Sequence, residues 1–233
     1  YEFDRLKQLY ENMRQRIEND YYQLKEYTEN MSHELQTPLS IIQNKTESLL
    51  SANDLKPEQA EQLKSIYEET QQLSRMGRAL NLITHIENQE FQNIQTINTA
   101  SVIRSHVDNI REIAEMKQLD IETNLNEQHT MTIDAGLLDI LVRNLLKNAM
   151  RYSHPSTTIY IETGEKQLQV INQGDEPQFP EEEVFKRFRK GKQNKSLGLG
   201  LAIVKKICEV SNLHIDYKYR DEKHIFTVIP AKE

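Results

Sequence analysis

Apolar residues at Leu6, Tyr10, Met13, Ile17, Leu24, Tyr27 and Met31 fall on alternating steps of three and four, with polar Asp20 in the one slot between Ile17 and Leu24. That spacing is the seam of a coiled coil; an amphipathic helix resting on some other core is the alternative. The stripe continues through Leu39, Ile42, Thr46, Leu49 and Leu50. Residues 51–57, Ser-Ala-Asn-Asp-Leu-Lys-Pro, read as a turn, with Pro57 near the first position of a new helix. Leu63, Ile66, Thr70, Leu73, Leu80 and Ile83 give that second helix its apolar face. Two antiparallel helices on a short turn make a hairpin, and a hairpin of this size buries too little alone. Two copies joined in a four-helix bundle complete it, so a homodimer is implied by the seam and again by the hairpin.

The pattern then changes character. Residues 91–98 lose the periodicity and read as a linker. A helix is predicted over 99–116, short strands over 119–125 and 131–133, and a helix through 150 capped by Asp134, whose carboxylate can accept the first free amide protons. Strands are predicted over 158–163, 167–171, 213–218 and 225–229, with a helix over 199–210 between them. This is an α+β domain, a mixed sheet with helices packed on one side.

Composition narrows the class. Of 233 residues, 37% are hydrophobic, and charges of both signs are mixed along the chain, which suits long solvated helices better than disorder. A net charge of -7 argues against a general nucleic-acid-binding surface. No apolar run approaches the roughly 18–20 residues needed to span a bilayer. The single cysteine, Cys208, excludes an intrachain disulfide and a cysteine metal cluster. It stands among Ile203, Val204 and Ile207 as a packed core thiol, which fits a reducing compartment. The chain opens at Tyr1 in mid-pattern, so a fragment of a longer protein is expected.

Candidate chemistry begins at Met31-Ser32-His33-Glu34-Leu35-Gln36-Thr37-Pro38-Leu39-Ser40. A histidine is often a neutral nucleophile near pH 7, and here a carboxylate is next to it. His33 and Thr37 are four apart and share a helix face. Pro38 removes a helix hydrogen bond and presses on the carbonyl of Glu34, so the helix is expected to bend or loosen just beyond the histidine. The string resembles the phosphoacceptor box of sensor histidine kinases, with Gln36 at a peripheral position where that family usually has arginine.

Two further motifs follow in that family's order. Asn144-Leu-Leu-Lys147-Asn148-Ala-Met-Arg151-Tyr152-Ser153 resembles its asparagine box, shared with gyrase-type and chaperone ATPases. Asn144 and Asn148 lie one helical turn apart, and a carboxamide oxygen can ligate Mg²⁺ without adding negative charge beside a triphosphate. The resemblance makes Asn148 the Mg²⁺ ligand with Asn144 close by, Lys147 and Arg151 phosphate-neutralising, and Tyr152 a residue that packs on adenine. ATP-hydrolysing relatives carry a general-base Glu where this chain has Asn144, so water attack is expected to be slow and the γ-phosphate kept for His33. Ser196-Leu-Gly198-Leu199-Gly200 resembles the second glycine box, where backbone amides and the start of a helix meet phosphates. Phe185-Lys-Arg187-Phe188-Arg189-Lys190 before it looks like the phenylalanine box, hinging a short lid over roughly 189–197 whose basic residues Arg189, Lys190, Lys192 and Lys195 attract ATP; Arg187 and Lys190 are the candidate nucleotide contacts.

The first glycine box departs from the family at 172–176. Asn172 stands where the resemblance expects an Asp accepting from the adenine amino group, Gly174 is kept, and Glu176 replaces the last Gly. Asn172 can still accept that bond, without the charge that strengthens it. With Ser196 also replacing a glycine, weaker nucleotide binding is expected.

The resemblance implies a coiled-coil signalling helix over 1–26, a dimerisation and histidine phosphotransfer domain over 27–90, a linker over 91–98 and a catalytic ATP-binding domain over 99–233. The fold class is thus multidomain: an all-α hairpin forming a dimeric four-helix bundle with an N-terminal coiled coil, then an α+β sandwich of the gyrase, chaperone and histidine-kinase type. It also implies ATP and Mg²⁺ as cofactors, autophosphorylation of His33 with Glu34 as proton acceptor, and transfer to an aspartate on a response-regulator receiver domain. Thr37, three residues beyond Glu34, matches the residue that orients water for dephosphorylating the regulator. The expected location is the cytoplasmic portion of an inner-membrane sensor. The competing functions are a weak kinase-like scaffold or phosphatase, suggested by Asn172 and Glu176, and an ATPase of the same superfamily, which Asn144 and the His33 box oppose.

Overall fold

The computed structural model describes the backbone of residues 2–51, 55–88, 90–188 and 197–231, and the side chains of those stretches except 2, 4 and 17–34. The chain divides into two compact units, Tyr1–Thr84 and His85–Glu233.

The first unit is helical. Helix α1 spans Glu2–Leu50 and α2 spans Pro57–Glu87, its last three residues belonging to the second unit. Pro57 opens α2, where its missing N–H costs nothing. Pro38 lies inside α1, and the helix continues beyond it to Leu50. Gln43 Nε2 donates to Ser74 Oγ at 3.1 Å, the register of an antiparallel hairpin. Thr46 and Thr70 are buried, each satisfying its hydroxyl on the carbonyl four residues back, Ile42 at 2.7 Å and Ile66 at 3.0 Å. Leu35, Ile42 and Leu49 on α1, and Ile66 and Leu73 on α2, remain exposed. They repeat at intervals of seven, the spacing of a helix-packing seam. Of the sequence-derived coiled-coil positions, Leu6, Tyr10 and Met13 are exposed on α1, whereas the side chains of Ile17, Leu24, Tyr27 and Met31 lie outside the described residues.

The second unit is the α+β domain. In chain order its elements are β1 Ile94–Asn98, α3 Thr99–Met116, β2 Leu119–Leu125, β3 Thr130–Asp134, α4 Ala135–Tyr152, β4 Thr157–Thr163, β5 Leu168–Gln173, α5 Gly200–Val210, β6 Leu213–Arg220 and β7 Lys223–Pro230, with one 3₁₀ turn at Glu181–Glu183. Five strands form a mixed sheet in the order β2-β4-β5-β7-β6, parallel between β2 and β4 and antiparallel elsewhere. Strands β1 and β3 form a separate antiparallel pair.

The residues read as a linker over 91–98 are therefore corrected: 94–98 form β1. Its Ile94 is exposed, so no inward–outward alternation marks it, and pairing with β3 alone defines it as a strand. Strand β5 also runs two residues further than expected, to Gln173, which places Asn172 inside the sheet.

Capping fixes where α3 and α4 start. Asn98 accepts from Ser101 N, and Asp134 accepts from Gly136 N at 2.8 Å and Leu137 N at 3.3 Å. The other Asp134 oxygen accepts from Asn93 N at 3.1 Å, tying the entry of β1 to the start of α4. Helix α4 buries Leu138, Leu141, Leu145 and Ala149 along one face, the spacing of an amphipathic helix. The sheet buries Ile159, Ile161, Val170 and Phe226 on its inward face, and β5 is its strand nearest α4. Cys208 is buried in α5, and burial pushes its thiol up to about 12, an inert core position.

Candidate functional site

The second unit brings together three motifs that are far apart in sequence. Asn144 is the first point of convergence. Its Nδ2 donates to the Ile140 carbonyl at 2.8 Å, which fixes the amide plane and leaves Oδ1 directed at Gly200, where an added Cβ would come within 3.0 Å of it. The asparagine box on α4 and the glycine that opens α5 are therefore in close approach. Asn148 lies one turn on and is half-buried, with no side-chain hydrogen bond among the described residues; Lys147 and Arg151 are exposed on the adjoining face.

Gly174 is the second point. A Cβ there would run into the Tyr152 carbonyl oxygen and lie 3.1 Å from His224 Nε2. This glycine is required by the close approach of the α4 exit to the end of β5. Backbone and side-chain bonds hold the junction: Gly174 N donates to Glu222 O at 3.0 Å, His154 N to Gln173 O at 3.0 Å, and Tyr219 OH to Gly174 O at 3.1 Å.

Beside that junction lies an unusual polar pair. Asn172 is completely buried, and neither its Oδ1 nor its Nδ2 has a hydrogen-bond partner. Its register partner on β7 is His224, also buried, whose Nδ1 is 2.7 Å from Tyr217 OH while Nε2 is unpartnered. Burial pushes the His224 imidazole below the ordinary histidine range, reinforced by His154 and opposed by Asp175. Nearly all buried polar groups find partners, so unsatisfied atoms at one strand end are a signature of a missing ligand or ordered water.

The third point is the start of α5. Gly198 has φ 65°, and Leu199 is buried immediately before Gly200. Phe188, itself at φ 64°, donates its N–H to Gly198 O at 2.9 Å. That bond draws together the two ends of the segment between them, the base of the expected lid. Lys190, the other basic residues of 189–195 and Ser196 lie outside the described residues. Arg187 pairs with Glu87 Oε1 at 3.1 Å, and Lys206 reaches the same oxygen at 3.4 Å. Thr37 is exposed on α1, and the side chains of His33 and Glu34 lie outside the described residues.

The arrangement could hold a nucleotide: the Asn172 amide has hydrogen-bonding capacity to spare, Gly174 and Gly200 let the end of β5 and the start of α5 approach α4, and the Asn144 carboxamide oxygen is presented toward the start of α5. Among the described residues there is no cluster of three His, Cys, Asp or Glu side chains that could hold a metal ion, and the Asn144 and Asn148 carboxamides could supply oxygen ligands to one. Sequence reasoning missed His224. The alternation of β7 could have marked it, since 224, 226 and 228 share the inward face.

Comparisons with known proteins match both units. Residues 23–89 match the His Kinase A (phospho-acceptor) domain, and residues 133–232 match the histidine kinase-, DNA gyrase B-, and HSP90-like ATPase family. The chain is 22% identical over 232 residues to the sensor histidine kinase HprS of Escherichia coli strain K12, covering 96% of this chain and 51% of that protein. It is 29% identical over 212 residues to the sensor protein SrrB of Staphylococcus aureus strain MRSA252, covering 83% of this chain and 35% of that protein. The chain thus spans about half, or less, of these relatives. Among solved structures, the Acinetobacter baumannii histidine kinase AdeS superposes with a TM-score of 0.61 at 26% identity, over 86% of this chain and 98% of that one. The second unit carries an ATP-binding domain of this ATPase type. A phospho-acceptor domain followed by that domain places the chain in the two-component sensor histidine kinase family.

Proposed function

We propose that the chain forms the kinase portion of a sensor protein, phosphorylating itself on His33 from ATP and passing the phosphoryl group to a response-regulator aspartate. Two close approaches support this most directly: Asn144 meets Gly200 and the Tyr152 carbonyl meets Gly174, so α4 touches both glycine motifs, with the unsatisfied Asn172 two residues before Gly174. Asn172 accepts from the base, and Tyr152 packs against it. Lys147, Arg151, Arg187 and Lys190 supply positive charge toward the phosphates, and Gly198, Leu199 and Gly200 present the amides at the start of α5. Asn148, with Asn144, would hold Mg²⁺, which neutralises phosphate charge when bound.

Glu34 takes the proton from one ring nitrogen of His33, and the lone pair on the other nitrogen attacks the γ-phosphorus. The bond to the bridging oxygen breaks, and its electron pair leaves with ADP. Such a transfer needs positioning and charge neutralisation more than covalent help. Asn144 provides no general base for water, which favours His33 as acceptor.

A homodimer is supported by the exposed Leu35, Ile42, Leu49, Ile66 and Leu73, a face that a second hairpin would cover. The phospho-acceptor match over 23–89 supports a phosphotransfer domain over 27–90 following a coiled-coil helix over 1–26, and the catalytic domain includes β1 as well as 99–233. No described helix is long and apolar enough to cross a membrane. A cytoplasmic place for this portion, below an upstream sensor segment, is part of the proposal, and the likeness to proteins named as sensors supports it.

Incubation with γ-labelled ATP and Mg²⁺ tests the proposal, comparing the native chain with His33→Ala. Acid-labile label on the native chain alone is the expected result. No label on either, with ADP still bound, would favour the second reading, a phosphatase or scaffold with a slow nucleotide domain, which Asn172 and Glu176 motivate.

A further inference from the structure

Asn172 and His224 are register partners on the inner side of β5 and β7, and both amide atoms of Asn172 and the Nε2 of His224 are buried without a protein hydrogen-bond partner. Both groups share one chemical property: their hydrogen-bonding sense is reversible. A carboxamide turned over about its last torsion exchanges an acceptor oxygen for a donor nitrogen at the same place. Neither end of Asn172 is held by a protein bond, so the turn costs no contact. A neutral imidazole carries its proton on either nitrogen, and the hydrogen bond made by the other nitrogen decides which. Here that other nitrogen is Nδ1, 2.7 Å from Tyr217 OH, and a hydroxyl can donate or accept. His224 Nε2 can thus present either a donor or an acceptor beside the end of β5.

Adenine offers an amino donor next to a ring-nitrogen acceptor. Guanine offers a carbonyl acceptor next to a ring N–H donor, the reverse pattern. A carboxylate, accepting only, meets one pattern and repels the carbonyl of the other. A carboxamide meets both. Burial holds His224 neutral, so no fixed positive charge biases the choice. Tyr152 and Gly174, which bound this end of β5, contribute backbone and ring surface without purine selectivity of their own.

We propose that Asn172, with His224 beside it, reads the bound purine through a reversible donor–acceptor pair, so that the site accepts guanine nucleotides as well as adenine nucleotides. This rests on the second unit being the nucleotide site. Asn172 is the specificity-determining residue and His224 a positioning residue for it.

Calorimetry of the full chain with Mg²⁺ and either ADP or GDP tests the proposal. The expected native result is binding of both, with dissociation constants within about tenfold of each other, and a widening of the ratio in favour of ADP by about tenfold or more in Asn172→Asp, the range of one hydrogen bond to a charged group. In His224→Leu both nucleotides still bind and the ratio changes by less than in Asn172→Asp. A native preference for ADP beyond about a hundredfold would overturn the proposal while leaving the nucleotide site standing. The native ratio needs no variant, so a misfolded Asn172→Asp would not shield the idea. Failure of both nucleotides to bind would overturn the nucleotide site itself and this proposal with it.

Discussion

The backbone carbonyl of Tyr152 occupies the space that a side chain on Gly174 would need. The exit of α4 and the end of β5 are thereby pressed together at the position that follows Asn172 by two residues. Gly174→Ala is expected to push them apart. Overpacking of this kind costs about 1–3 kcal/mol, read as a lower melting temperature. ADP affinity should fall by more than the melting change alone explains, because Asn172 and Tyr152 both move. Unchanged ADP binding in a folded variant would separate the junction from the site.

Asp134 joins three amides, those of Gly136, Leu137 and Asn93. Asp134→Ala removes an N-cap and leaves the amide of buried Leu137 without its side-chain partner, and each loss is in the range of about 1–2 kcal/mol. Chemical denaturation should show a drop of that size or somewhat larger. Asp134→Asn, which keeps the acceptor oxygen, should recover most of it.

Acid sensitivity should come from His129 and His224. Both have imidazoles pushed below 6.5, His129 by burial and His224 by burial foremost. Below about pH 6.5 the unfolded chain therefore takes up protons that the folded chain refuses, and stability falls as pH falls. Above that pH both rings are neutral in either state and contribute no slope. Each histidine adds at most about 1.4 kcal/mol per pH unit. His224→Gln should flatten the fall in melting temperature between pH 7 and 5; an unaltered slope would assign the acid sensitivity elsewhere.

Thr37 is exposed on α1, four residues beyond His33. Thr37→Ala is expected to keep His33 labelling and to lose dephosphorylation of the phosphorylated regulator by at least about tenfold, the usual scale for removing a group that positions a reactant. Equal loss of both activities would end that division of labour.

Much of the second unit was legible because its elements carry strong local signals. The predicted helix over 99–116 and strand over 119–125 coincide with α3 and β2, and the Asp134 cap is where the sequence places it. What stayed hidden was set by partners distant in sequence. Strand β1 has an exposed Ile94 and is a strand because β3 lies beside it. The neighbours of Arg187 in sequence do not reveal its ion partner Glu87, which lies 100 residues earlier. Asn172 was picked out by resemblance, whereas its complete burial and its pairing with His224 depend on the β5–β7 register.

Helix α1 is one uninterrupted run from Glu2 to Leu50. Its two ends are consequently geared: any residue inserted between Leu6 and His33 turns the His33 Cα–Cβ direction by about 100° relative to the upstream seam. Seven inserted residues bring it back to within about 20°. Kinase output plotted against insertion length in this stretch should therefore oscillate with a period of about 3.6 residues, returning close to its starting value at seven, and not decay smoothly, making α1 a shaft whose angular phase, more than its length, carries the signal.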